Sequence, residues 1–101
     1  MLPQNFVSFL VSLIGKTDAG EFKWSVDDLN SSISLRQPDF QIDVGYSFNE
    51  VRAIGQYYIH YRVSGDDTDY RLVTNQEAEN EYELMQKLFN SAQGSTMKFP
   101  F

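Results

Sequence analysis

A chain of 101 residues is one domain, and 42% hydrophobic with 22% charged residues is globular composition, enough for a single core. The absence of cysteine excludes disulfides, thiolate metal sites, iron–sulfur clusters and cysteine nucleophiles. The net charge is −6 and the eight basic residues are spread singly, so the clustered positive charge that displaces counterions from nucleic acid is missing.

Residues 3–15 carry a helical pattern. Pro3 suits the first helical position, where a missing N–H costs nothing. Phe6, Phe9, Leu10, Leu13 and Ile14 form an apolar stripe, and Gly15 is a stop signal. Val7 and Val11 widen the stripe until only Gln4, Asn5, Ser8 and Ser12 remain polar. A helix apolar nearly all round is either central or shared with a partner, which marks Val7 and Val11 for self-association. The same run has no basic flank and no small-residue cleavage site, which argues against a signal peptide, and it is too short to span a bilayer. A cytoplasmic protein that binds no membrane is expected.

Residues 16–20 read as a turn and Glu21–Ser25 as a first strand, with Phe22 and Trp24 on one face. Ser25–Asp28 has capping-box-like spacing, which predicts a short helical turn with Leu29 tucked beneath it. Ser32–Gln37 reads as a second strand, with Ile33 and Leu35 inward, before Pro38-Asp39 breaks the chain. A long alternation follows, with Phe40, Ile42, Val44, Tyr46 and Phe48 on one side. Residues 49–55 connect it to a second alternation over 56–64. There Tyr57, Ile59, Tyr61 and Val63 point in, while Gln56, Tyr58, His60 and Arg62 point out. A turn cluster at 65–69 and a short strand, Tyr70–Val73, close the sheet. Thr74-Asn75-Gln76-Glu77 matches a capping box and predicts a helix that buries Ala78, Tyr82, Met85, Phe89 and Ala92, flanked by Leu84 and Leu88, and ends at Gly94. Met97, Phe99 and Phe101 alternate in the tail, as an edge strand or a docked segment would. This order predicts a two-layer α+β sandwich: an antiparallel meander of four to five strands, with the N- and C-terminal helices packed on one face.

The outward trio Tyr58, His60 and Arg62 is the first site candidate. Tyrosine and arginine combine contact area with hydrogen bonding, which suits a binding surface. His60 is the only imidazole. A hydrolase or isomerase built on it would need Asp43 or Glu50 as orienting carboxylate and a hydroxyl such as Ser47 or Tyr58. Trp24, Tyr57 and Tyr61 are candidates for a small-ligand pocket between helices and sheet. Asp66-Asp67-Thr68-Asp69 lacks the spacing of a calcium loop, and no glycine-rich phosphate loop occurs, so no metal or cofactor is implied. The leading expectation is a non-enzymatic interaction protein whose partner is a second copy or another protein. A small-ligand module is the next alternative, and an enzyme using His60 the third.

Lys16, Thr17, Gly20 and Trp24 form a Lys-Thr-x-x-Gly-x-x-x-Trp pattern. It resembles one found in short bacterial proteins of mobile elements, including integron gene cassettes. That resemblance implies an apolar opening helix, a turn, strands and a final helix, and it implies no catalytic residue. The spacing suits a tight turn that feeds a strand and buries a tryptophan.

Overall fold

Alternation builds the sheet and helical periodicity covers one side of it. The protein, described over residues 2–97 in a computed structural model, runs α1 (Gln4–Asp18), β1 (Ser25–Asp27), β2 (Ser32–Arg36), β3 (Phe40–Asn49), β4 (Ile54–Val63), β5 (Asp69–Asn75) and α2 (Glu79–Ser95). The strands form one antiparallel sheet in the order β1-β2-β3-β4-β5, a meander in which each strand pairs with its neighbour in sequence. This is the predicted α+β sandwich. The expected docking of Phe99 and Phe101 lies outside the described residues.

The register fixes the faces. Val26, Ile33, Val44, Ile59 and Leu72 lie in one row across all five strands, and Leu35, Ile42, Tyr61 and Tyr70 in the next. Ile33, Leu35, Ile42, Val44 and Ile59 are buried together with Leu10 and Leu13 of α1 and Met85, Leu88 and Ala92 of α2. Both helices therefore sit on the same side of the sheet, and among the described residues the opposite face carries no helix.

Aromatic side chains occupy the two ends of the covered face. At one end Phe9 stacks against Phe40 at 5.6 Å and Tyr61 at 5.0 Å between ring centroids, with Phe6 and Phe22 at the margin. At the other end Tyr57 is the hub, 5.1 Å from Tyr46 and 5.3 Å from both Tyr82 and Phe89. Gly55 permits the second arrangement: a Cβ there would overlap the hydroxyls of both Tyr46 and Tyr82.

Several local expectations shift. The first helix passes Gly15 and runs to Asp18. Gly15 keeps a negative φ, whereas Gly20, at φ +83°, makes the left-handed exit that only glycine adopts without strain. The first ladder is then Ser25–Asp27 rather than residues 21–25, because the backbone N–H of Trp24 donates to Ser95 Oγ of α2 (3.0 Å). No helical turn follows. Asp27 instead accepts from the backbone N–H of Asn30 (3.2 Å) and from its side chain (2.6 Å), closing an Asx-type turn that leaves Leu29 97% exposed. Phe48 and Val63 lie at opposite ends of their strands, beyond the helical cover, and are exposed although they face the covered side.

The capping box is the largest correction. Thr74 belongs to β5, opposite Tyr57, and is buried. Its hydroxyl donates to Glu81 Oε1 (2.9 Å), so it caps nothing, and α2 begins at Glu79. A β-branched residue at an inward strand position is better placed in the sheet than at a helix start. The Glu81 carboxylate also accepts from the backbone N–H of Leu2 (3.0 Å), tying the start of the chain to α2. At its C-terminal end, α2 continues one residue beyond Gly94.

Candidate functional site

Two surfaces collect chemistry, one on each side of the sheet. The first is the uncovered face. The register gathers Ser34, Asp43, His60 and Arg71 in one outward row, Asp27, Ser32, Gly45, Tyr58 and Val73 in the next, and Arg36, Gln41, Arg62 and Asp69 in a third. A shallow concavity of about 350 Å³ runs between them, with Gly45 at its floor. A side chain at Gly45 would meet nothing, so the hollow exists because that position has none. Tyr58 and Val73 are 46% and 44% exposed at its wall.

The predicted trio Tyr58, His60 and Arg62 lies on this face. Arg62 Nε donates to Asp69 Oδ1 (2.9 Å), and Tyr58 accepts from the Gln56 side chain (2.9 Å). His60 Nε2 lies 3.5 Å from the same Asp69 oxygen but makes no hydrogen bond. Asp43 is directly opposite His60 in the register, yet its Oδ1 accepts from Ser34 Oγ (2.6 Å) and Arg36 Nη1 (2.9 Å). The serine thus donates to the carboxylate and not to the imidazole, the reverse of the nucleophile–base–orienter order. Ser47 lies four pairs along the strand from Asp43, opposite Gln56, and Glu50 is on the exposed β3–β4 turn.

The second surface is a cleft of about 530 Å³ between α2 and the β1–β2 turn. Its floor is the tyrosine cluster, Tyr46, Tyr57 and Tyr82, beside Phe89. Gln86, Asn90 and Gln93 line it from α2, and Asp27, Asp28, Ser31 and Ser32 from the hairpin. Burial first, and then the neighbouring Tyr46 hydroxyl, push the Tyr82 phenol up to about 12. Burial likewise raises Tyr57, with Tyr46 adding to it. Tyr57 and Tyr82 therefore stay neutral hydrogen-bonding groups through the physiological range. Asp27 is held below the usual carboxylate range by the Asn30 side chain and backbone, so it stays charged.

The pocket trio is not brought together. Tyr57 lies in the cleft, but Tyr61 lines an apolar groove of about 490 Å³ at the phenylalanine end, with Phe6, Phe9 and Tyr70. Trp24 is buried, and its indole N–H donates to Thr17 Oγ1 (3.0 Å), which in turn donates to the Leu13 carbonyl (2.8 Å). The Lys16–Trp24 pattern therefore has a structural meaning: Thr17 receives the indole, and Gly20 turns the chain between them. Val11 is 55% exposed on α1 between Ser8 and Ser12, and Val7 is half-buried.

Sequence reasoning misses Asp69 and Arg71, because Asp69 sits in a turn-like acidic run and alternation alone does not say which outward residues of β5 lie beside those of β4. It also misses Tyr82, Gln86, Asn90 and Gln93 as one surface, although their spacing puts them along one side of a helix. Among the described residues no helix is long and apolar enough to cross a membrane. No family model, curated protein or solved structure matches the chain.

Proposed function

We propose that the chain is a non-enzymatic binding protein that self-associates, face to face, through the uncovered side of its sheet. One observation carries this reading. That face presents three arginines (Arg36, Arg62, Arg71) against two aspartates (Asp43, Asp69), since the Asp27 carboxylate at the sheet edge is held by Asn30 and lines the cleft, on a chain whose net charge is −6. The excess negative charge lies elsewhere, so a second copy meets this face without the repulsion it meets on the others. Five strands at ~4.8 Å spacing and about seven residues at ~3.3 Å give roughly 500 Å² in projection. That is of the order of the ~800 Å² of accessible surface each partner of a specific complex buries. Val7 and Val11 offer a smaller seam, with a single well-exposed apolar side chain.

Light scattering should find a dimer at micromolar concentration. Arg62→Glu/Arg71→Glu and Asp43→Lys/Asp69→Lys should each be monomeric, with dimer Kd raised about tenfold or more, and a mixture of the two should re-form a heterodimer. Val11→Lys should leave the dimer intact. Circular dichroism checks the fold, since exposed ion pairs contribute only about 0–1 kcal/mol each. A wild-type monomer, or a dimer lost only with Val11→Lys, would remove the sheet face as the contact.

A second reading, a small-ligand module, is favoured by the 530 Å³ tyrosine-floored cleft, whose volume lies within the usual range for ligand sites.

A further inference from the structure

Resting on the small-ligand reading, we infer that the cleft between α2 and the β1–β2 turn binds a compact organic cation of the alkylammonium class. The lining decides the sign of the ligand's charge. Two carboxylates, Asp27 and Asp28, stand on the hairpin wall, and among the described residues no lysine or arginine lines the cleft. A phosphate, sulfate or carboxylate would find no counter-charge there and two like charges, so anionic ligands are disfavoured.

The floor decides the kind of cation. Tyr46, Tyr82 and Phe89 surround Tyr57 with their rings tilted 52–59° to it, so the cluster presents aromatic surface at several angles. Aromatic faces carry negative quadrupole charge and attract a weakly hydrated cation. A quaternary or methylated ammonium keeps its charge while shedding water easily, which suits such a floor better than a strongly hydrated metal ion. The polar wall of α2, Gln86, Asn90 and Gln93, then offers hydrogen bonds to a neutral polar substituent on the same molecule.

Gly55 makes this floor. Without a side chain there, the Tyr46 and Tyr82 hydroxyls close over the backbone, leaving their rings at the cleft. Asp27 already anchors its turn through Asn30, which makes Asp28 the carboxylate free to follow a ligand.

The test uses choline and its neutral isostere 3,3-dimethylbutan-1-ol, titrated into the full chain and followed by amide chemical-shift changes. Choline should saturate, perturb residues 27–32 and 86–93, and bind about tenfold or more tighter than the alcohol. Asp28→Asn should weaken choline about threefold or more and leave the alcohol unchanged. Tyr82→Phe, which keeps the ring, should retain choline binding, and Tyr82→Leu should weaken it. Equal binding of both probes would overturn the cation assignment while leaving the ligand-module reading standing. Binding of neither at about 10 mM, or shifts confined to other residues, would overturn both.

Discussion

The two aromatic ends of the covered sheet face are packed alike and are chemically opposite. Ring centroids are 5.0–6.2 Å apart at the phenylalanine end and 5.1–5.3 Å apart at the tyrosine end. Rings at these distances contribute similar packing. The phenylalanine end opens into a mostly apolar groove whose polar groups are Asn5 and the Tyr61 and Tyr70 hydroxyls, whereas the tyrosine end brings hydroxyls, amides and carboxylates to one cleft. The polar side chains that α2 and the β1–β2 turn add, Gln86, Asn90, Gln93, Asp27 and Asp28, equip the tyrosine end and not the other to recognise a polar molecule.

That contrast can be broken at the tyrosine end alone. Gly55→Ala inserts a methyl where two hydroxyls and a Tyr46 ring carbon already lie. It should cost about 3 kcal/mol in chemical denaturation, the upper part of the range for overpacking, and should distort the cleft while leaving the phenylalanine end intact. A cost below ~0.5 kcal/mol would mean that the two rings swing away freely, and that the glycine is not what shapes the floor.

A smaller effect sharpens how the ends are joined. Trp24 bonds α1 through its indole and α2 through its backbone N–H. Thr17→Val keeps the volume but leaves a buried indole donor unpaired, which should destabilise by about 1.5 kcal/mol, while Thr17→Ser should recover most of it. Equal losses for valine and serine would assign the effect to packing and not to the hydrogen bond.

The effect confined to the most extreme conditions lies in alkali. Tyr82 keeps its proton up to about 12, whereas its unperturbed value is 10.0. Between those values the folded chain binds more protons than the unfolded one, so stability is constant below pH 10 and falls as pH rises toward 12. Phenolate absorbance should show late-titrating tyrosines, with one fewer in Tyr82→Phe. Complete titration of every tyrosine near pH 10 in the folded protein would show that the hydroxyls are freely solvated.

Strands were the most legible part of the molecule. The period-2 runs at 40–48 and 56–63 placed β3 and β4 and their inward residues, because one buried face imposes strict alternation. Termini were less legible. Thr74-x-x-Glu77 has the letters of a capping box, but burial opposite Tyr57 outweighs a local signal worth about 1 kcal/mol. Gly15 and Gly20 are both glycines after an apolar stripe, and only backbone geometry says which turns left-handed. The uncovered face was half legible: Tyr58, His60 and Arg62 follow from alternation, but Asp69 and Arg71 needed the β4–β5 register. The cleft was scarcely legible, since it joins residues 27–32 to 82–93 through a topology that composition does not state.

The chain's single tryptophan has a further consequence. Trp24 is 3% exposed, bonded to both helices and absent from the uncovered sheet face. Its emission should therefore register helix docking and stay silent when sheet faces meet. The protein thus contains an internal spectroscopic standard: a change in apparent size with constant tryptophan emission is association of folded chains, and a change in both is loss of the fold.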